Sequence, residues 1–251
     1  LNLTPDKKTY KPGDTVTIVV DAKKRDGTPQ EAEVSLAVVD ERVVALLGSV
    51  DKNILGAFWF RRTIGVETEA TLTRLVKKVF IDRGDGMGDG KGGADTSVPI
   101  RGNFQDTAYW KADIVTGKNG KATVTFKLPD NLTDWQILAI GNTKDTVVGS
   151  AEASISTRKD LAVEPLLPRF IRSGDTVKLG ASVENETGIG KTVNVAIKTE
   201  GLTVTDGLTR SIWVAPRSRI GVTWNVKAPY GVKTARVTVT GVSDGASDGY
   251  E

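Results

Sequence analysis

The stretch DRGDGMGDGKGG, residues 82–93, comes nearest to chemistry in this chain, with Asp82, Asp85, Asp89 and Lys91 set among six glycines. Gly88 to Gly93 match G-x-G-x-x-G, a turn that seats a pyrophosphate on a helix N-terminus. Here ADTSVP stands where that helix is needed, and no βαβ pattern surrounds it. A Walker A loop fails too, because no Ser or Thr closely follows Lys91. The three aspartates lack EF-hand spacing and a closing glutamate, so a solvated linker is a better reading than a calcium loop. Arg83-Gly84-Asp85 is an integrin-type tripeptide, which chance readily produces in a segment made of Gly, Asp and Arg.

The chain has neither histidine nor cysteine. Ser-His-Asp and Cys-His nucleophilic sites, zinc and iron–sulfur ligation and disulfides therefore cannot be built from it. Carboxylate-pair hydrolysis, Ser-Lys chemistry and oxygen-ligand calcium sites survive that exclusion, but no paired acids stand out from the strand pattern. No enzyme activity, cofactor or metal is expected. Lys plus Arg exceed Asp plus Glu by only 34 to 31, and the excess is spread along the chain, so nothing asks for nucleic acid. Apolar runs are far shorter than the roughly 20 residues that span a bilayer, and LNLTPDKKTY lacks a signal-peptide core.

The elements that would position any site are strands. Val16, Ile18, Val20 and Ala22 alternate with Thr15, Thr17, Val19 and Asp21; Val34, Leu36 and Val38 follow a turn with Asp26-Gly27, which reads as a hairpin. Ala122, Val124, Phe126 and Leu128 follow Asn119-Gly120, with Asp113, Ile114 and Val115 on the incoming strand, and this reads as another. Further one-faced strands are Val177, Leu179, Ala181 and Val183; Val193, Val195 and Ile197; Ile220, Val222, Trp224 and Val226; and Ala235, Val237 and Val239. EATLTRLVKKVF, residues 69–80, suits a helix or an extended segment equally.

YKPGDTVTIVVDA at residues 10–22 is echoed by FIRSGDTVKLGASV at residues 170–183, each an aromatic residue, a glycine turn and a strand start. The fold predicted is all-β: two tandem Ig-like or fibronectin-III-like β-sandwiches, residues 1–157 and 158–251, with a boundary near TRKDLAVEP. The second has the ~100 residues such a sandwich needs. The first is overlong, and its excess lies at about residues 60–98, between strands of one sandwich.

That excess is expected to be mobile, because its glycines lose much freedom on ordering and Met87 alone among residues 84–93 is apolar. Around the glycines stand residues that many proteases cut after: Arg61, Arg62, Leu72, Arg74, Leu75, Lys77, Lys78, Phe80, Arg83 and Lys91. Mobile exposed chain is what a protease cleft accepts. The ordered first sandwich is expected to resume from Arg101 and Phe104. An inert surface insertion is the plainer alternative, as is an array of structural or adhesive Ig-like modules with an incidental linker.

The block from Ile100 to Ile155 resembles the part of the sixth macroglobulin-type domain that follows the bait in alpha-2-macroglobulins. The carriers are Arg101, Phe104, Asp106 to Trp110, Gly120, Pro129-Asp130, Thr133, Trp135 and Gly149. PDNLTDW and LPRFIRSGDTV are closest in wording to bacterial members. SLAVVDERVVAL is similar to the family's strand and following acidic residue before the bait, and residues 161–251 look like the seventh macroglobulin-type domain. The resemblance implies that the insertion is a bait region. It also implies a parent that is an extracytoplasmic, periplasmic and membrane-anchored trap of broad endopeptidase specificity, whose partners are target endopeptidases and neighbouring domains. The family's thioester needs a Cys-Gly-Glu-Gln motif, absent from this chain, and the ending DGASDGYE reads as the point where a next domain begins.

Overall fold

Runs in which Val, Ile and Leu alternate with Thr, Lys and Asp bury one face when extended, and this dictates nearly every element of the chain. The computed structural model describes residues 1–47 and 98–251. In chain order the elements are β1 (Asn2–Pro5), β2 (Thr9–Tyr10), β3 (Thr15–Asp21), β4 (Glu33–Asp40), α1 (Glu41–Leu47), β5 (Ile100–Arg101), β6 (Thr107–Val115), β7 (Lys121–Lys127), β8 (Asp134–Asn142) and β9 (Val148–Thr157). There follow β10 (Leu161–Leu166), β11 (Thr176–Asn185), β12 (Lys191–Glu200), β13 (Thr203–Val204), β14 (Thr209–Val214), β15 (Ser218–Lys227), β16 (Arg236–Ser243) and β17 (Ala246–Tyr250).

The fold is all-β, two sandwiches, as expected. The first packs sheet β1-β3-β7 on sheet β2-β9-β8-β4-β6, and its core includes Val16, Ile18, Leu36, Phe126, Trp135 and Ile137. The second packs β10-β11-β15-β13 on β14-β12-β16-β17-β5 around Leu179, Val183, Val195, Trp224 and Val239. The two buried clusters share no residue.

Both expected hairpins are wrong in pairing, although their turns exist. β3 pairs with β1 and β7, whereas β4 pairs with β6 and β8, so the chain around Asp26-Gly27 crosses from one sheet to the other. The same holds across Asn119-Gly120: β6 lies beside β4, and β7 beside β3. Gly120, at φ 74°, closes a turn onto Gly117, and its carbonyl accepts the Ala22 N–H instead of starting a two-strand ladder. Alternation reveals which face is buried but not the neighbour, and a strand on either sheet meets the core equally well. At two more positions the predicted inward face fails: Ile220 is exposed, and Ala235 lies exposed just before β16.

The repeat is structural. Gly13 (φ 76°) and Gly174 (φ 91°) both take the left-handed region; Asp14 N–H bonds Lys11 O, and Asp175 N–H bonds Arg172 O. The strands that follow pair in matching fashion, Thr15 opposite Lys127 and Thr176 opposite Lys227. Their aromatic residues diverge: Tyr10 is buried and donates to Asp6, whereas Phe170 is 79% exposed.

Candidate functional site

β4 and β6 are antiparallel neighbours, from Glu33 opposite Val115 to Val39 opposite Thr107, and the Asp40 N–H bonds the Asp106 carbonyl. β4 and β6, which flank residues 41–105, thus start and end that stretch at adjacent points of one sheet. All ten cleavage candidates, Arg61, Arg62, Leu72, Arg74, Leu75, Lys77, Lys78, Phe80, Arg83 and Lys91, lie outside the described residues, as do the glycine stretch and the 69–80 segment. The two roots of the insertion are described.

The upstream root turns from strand to helix at Asp40. An aspartate directly before ERVVALL is an N-cap signal, and its carboxylate accepts the Arg42 N–H at 2.9 Å. The same carboxylate accepts Arg42 Nε at 3.1 Å, Arg42 Nη2 at 2.8 Å and the Thr133 hydroxyl at 2.9 Å, while Asp40 is only 1% exposed. Burial alone pushes such a carboxyl up. The bonds from the Arg42 side chain and backbone and from Thr133, with the Arg42 charge, outweigh it and hold Asp40 below its ordinary value. Arg42 is raised in turn, first by its bond to Asp40.

The downstream root is built differently. Ile100 and Arg101 form a short parallel strand on β17, with Ile100 opposite Gly249 and Arg101 opposite Tyr250. Arg101 is 4% exposed, and its guanidinium grips Asp248, itself 0% exposed, through Nε at 3.0 Å and Nη2 at 2.9 Å. Nη2 also donates to the Val163 carbonyl at 2.8 Å, while Asp248 accepts the Val163 N–H at 2.8 Å and Lys159 Nζ at 2.6 Å. Two buried oxygens thus meet two cations and an amide, which is what makes a buried carboxylate tolerable. Phe104 stacks on Tyr250 with centroids 4.5 Å apart, and Arg101 lies over the Tyr250 ring at 5.2 Å.

Both roots meet one loop, residues 128–133 between β7 and β8. Thr133 holds Asp40 at the upstream root. At the other, the Asp130 carboxylate accepts the Gly102 and Asn103 N–H groups at 3.1 and 3.0 Å, and Asn131 Oδ1 accepts the Gln105 N–H at 3.0 Å. Trp135, fully buried, donates to the Thr157 hydroxyl at 2.7 Å and fixes the strand that leaves the loop. A charged cleft of about 510 Å³ opens beside α1, with Arg42 and Thr133 of the first sandwich facing Lys159 and Glu164.

One expectation about these roots needs correction. The first sandwich does not resume at Arg101: residues 100–101 belong to a sheet of the second, and the first resumes at Thr107. Within DGASDGYE, residues 246–250 form β17 and Asp248 is a buried anchor. Asp40, Arg101, Phe104, Asp130 and Thr133 stand out in the sequence as motif residues without a role, whereas Asn131, Lys159 and Asp248 do not stand out. Only the N-cap position of Asp40 carried a local signal, since Asp248 lies 147 residues from Arg101. Among the described residues no group of acids is placed to hold a metal ion, and no helix is long and apolar enough to cross a membrane.

Comparison with known proteins places this arrangement among relatives. The profile of the Alpha-2-macroglobulin family matches residues 107–197, starting at the first residue of β6. The chain is 30% identical over 203 residues to an alpha-2-macroglobulin homolog of Nostoc sp., covering 80% of this chain and 10% of that protein. It is 27% identical over 256 residues to the alpha-2-macroglobulin of Thermotoga maritima, covering 97% and 16%. Among solved structures, trypsin-activated alpha-2-macroglobulin from Escherichia coli superposes with a TM-score of 0.72 at 19% identity, covering 99% of this chain and 18% of that one; this likeness is one of fold. The chain thus spans a small part of the length of the relatives it matches.

Proposed function

We propose, from the premise that this chain belongs to the alpha-2-macroglobulin family, that its insertion is the bait through which a larger inhibitor senses endopeptidases. The observation that carries this is the hairpin closure of β4 on β6, with Asp40 bonded to Asp106 across the mouth of the loop. A cut inside such a loop leaves both strands paired and buried, so cleavage becomes a signal rather than destruction. The site consists of residues to be cut, about 60–98, and of roots that hold the cut ends; no residue of the chain acts as a catalyst. In the same reading, residues 1–157 and 158–251 are two macroglobulin-type domains of an extracytoplasmic parent, whose other domains do the trapping. The two separate buried clusters support that division.

Limited proteolysis with trypsin, chymotrypsin and elastase, with fragments mapped by mass, tests the reading. The first cuts are expected within residues 48–97 for all three enzymes, after Arg or Lys for trypsin and after Phe80 or a leucine for chymotrypsin. First cuts within residues 1–47 or 107–251, or resistance of the 48–97 stretch to all three, would overturn it.

A further inference from the structure

The two roots of the insertion do not sit on the same body. Asp40 and α1 belong to the first sandwich, through β4 and Thr133. Ile100 and Arg101 are instead a strand of the second, lying on β17, and the chain rejoins a sheet of the first at β6. Residues 102–106 thus form a second covalent crossing between the sandwiches, beside the direct linker from Thr157 to Leu161. A body tied at one point can swivel freely, whereas one tied at two points turns only about the line that joins them.

We propose that Arg101 and Asp248 form an inter-sandwich clasp that seats the downstream root of the insertion on the second sandwich and thereby fixes the two sandwiches against each other. The chemistry of the clasp suits that task. Arg101 offers a planar fork whose Nε and Nη2 reach both oxygens of Asp248, and its Nη1 lies 3.4 Å from the Asp130 carbonyl of the first sandwich. Lys159, in the direct linker, donates to the same carboxylate, so both crossings converge on Asp248. Phe104 of the crossing segment stacks on Tyr250, and the Glu251 N–H bonds the Arg101 carbonyl. Breaking one member leaves a charge buried without its partner, which gives the clasp two discrete states rather than a gradual loosening.

This deepens the protease-sensing reading and rests on it for its consequence. The insertion connects the first sandwich to the second, so a cut removes a link between two bodies, while the clasp keeps the downstream stump on the second. Arg101 is in this sense a positioning residue.

The chain has no cysteine, so Lys118→Cys and Lys198→Cys, both exposed, allow spin labels on one site of each sandwich of the full chain. A single narrow distance distribution is expected without substitution, and one roughly twofold broader in Arg101→Gln or Asp248→Asn, with the Val195 and Val239 amides still protected from exchange. An unchanged distribution in both variants overturns the proposal, even if the Glu251 amide exchanges faster. Should those core amides also lose protection, Phe104→Ala, which removes only the stack on Tyr250, decides in the same way. Trypsin cutting of the unsubstituted chain within residues 48–97 is expected to leave the distribution narrow. Broadening by the cut alone to the Arg101→Gln width also overturns the clasp. The uncut arm uses no protease, so its outcome is independent of where proteases cut.

Discussion

The Asp40 carboxylate has given up its water to serve four donors: the Arg42 N–H, Nε and Nη2 of the Arg42 guanidinium, and the Thr133 hydroxyl. Arg42 itself is 67% exposed, so the Coulombic part of the pair is screened and the cap and the hydroxyl bond matter more. Asp40→Ala is expected to cost about 1–2 kcal/mol at neutral pH, read as a lower denaturant midpoint at unchanged slope. Because the folded carboxyl is held below its ordinary value, its contribution is fully present above about pH 4 and fades as pH falls through the lower folded value. The midpoints of the two proteins should therefore converge on acidification, and a gap that widens instead would sink the assignment. Tyr10 behaves in the opposite sense. Burial, and then its bond to Asp6, raise its phenol to about 12 from an ordinary 10. Its contribution holds below pH 10 and is lost as pH climbs towards 12, so Tyr10→Phe, less stable at pH 8, should close on the parent over that window. Absorbance at 295 nm should show one tyrosine fewer in the late step.

At the scale of elements, a strand is easier to recognise from its residues than its partner is. The buried faces of β3, β4, β11 and β12 follow directly from alternation, because a pleated strand exposes every second residue whatever its neighbour. Partnership depends on which sheet each turn delivers the chain to, and the turns around Gly27 and Gly120 deliver it across the sandwich. The two-residue strand β5 has no periodicity to detect, and β17, ASDGY, is too polar to read as a strand. The site was legible as a surplus of length and as motif residues, while its anchors, the pairs Arg101–Asp248 and Asp40–Thr133, are contacts distant in sequence that no local pattern encodes. The crossing turns also make a sharp comparison. Gly27 and Gly120 both have positive φ, but a Cβ on Gly27 meets nothing within 4 Å, whereas one on Gly120 falls 2.4 Å from the Ala22 carbonyl oxygen. Gly27→Ala should cost about 1–2 kcal/mol, the ordinary left-handed penalty, and Gly120→Ala clearly more, as backbone must move. Equal losses in denaturant titrations would show that the Gly120 turn does not hold the two sheets together.

For the whole molecule, the pairing of β4 with β6 on one sheet of the first sandwich sets what a cut does. Cleavage anywhere in residues 48–97 divides the chain into an upstream piece carrying β1 to β4 with α1 and a downstream piece carrying everything else. The upstream piece supplies strands to both sheets of the first sandwich, and Val16, Ile18, Val20, Val34, Leu36 and Val38 are all fully buried within it. At about 1.5–3 kcal/mol for each such side chain, with the ladders on β6, β7 and β8 beside them, the pieces have strong reason to stay together. The nicked protein is thus expected to elute from a sizing column as the intact one does, and to separate into two bands only in denaturant. What the cut changes is the molecularity of unfolding. Two pieces must now find each other, so the melting temperature of the nicked form should fall on dilution while that of the intact chain does not. Separation of the pieces in native buffer at micromolar concentration would mean that the covalent loop, rather than the sandwich core, holds the first unit together, and that a cut destroys this part of the molecule instead of informing the rest.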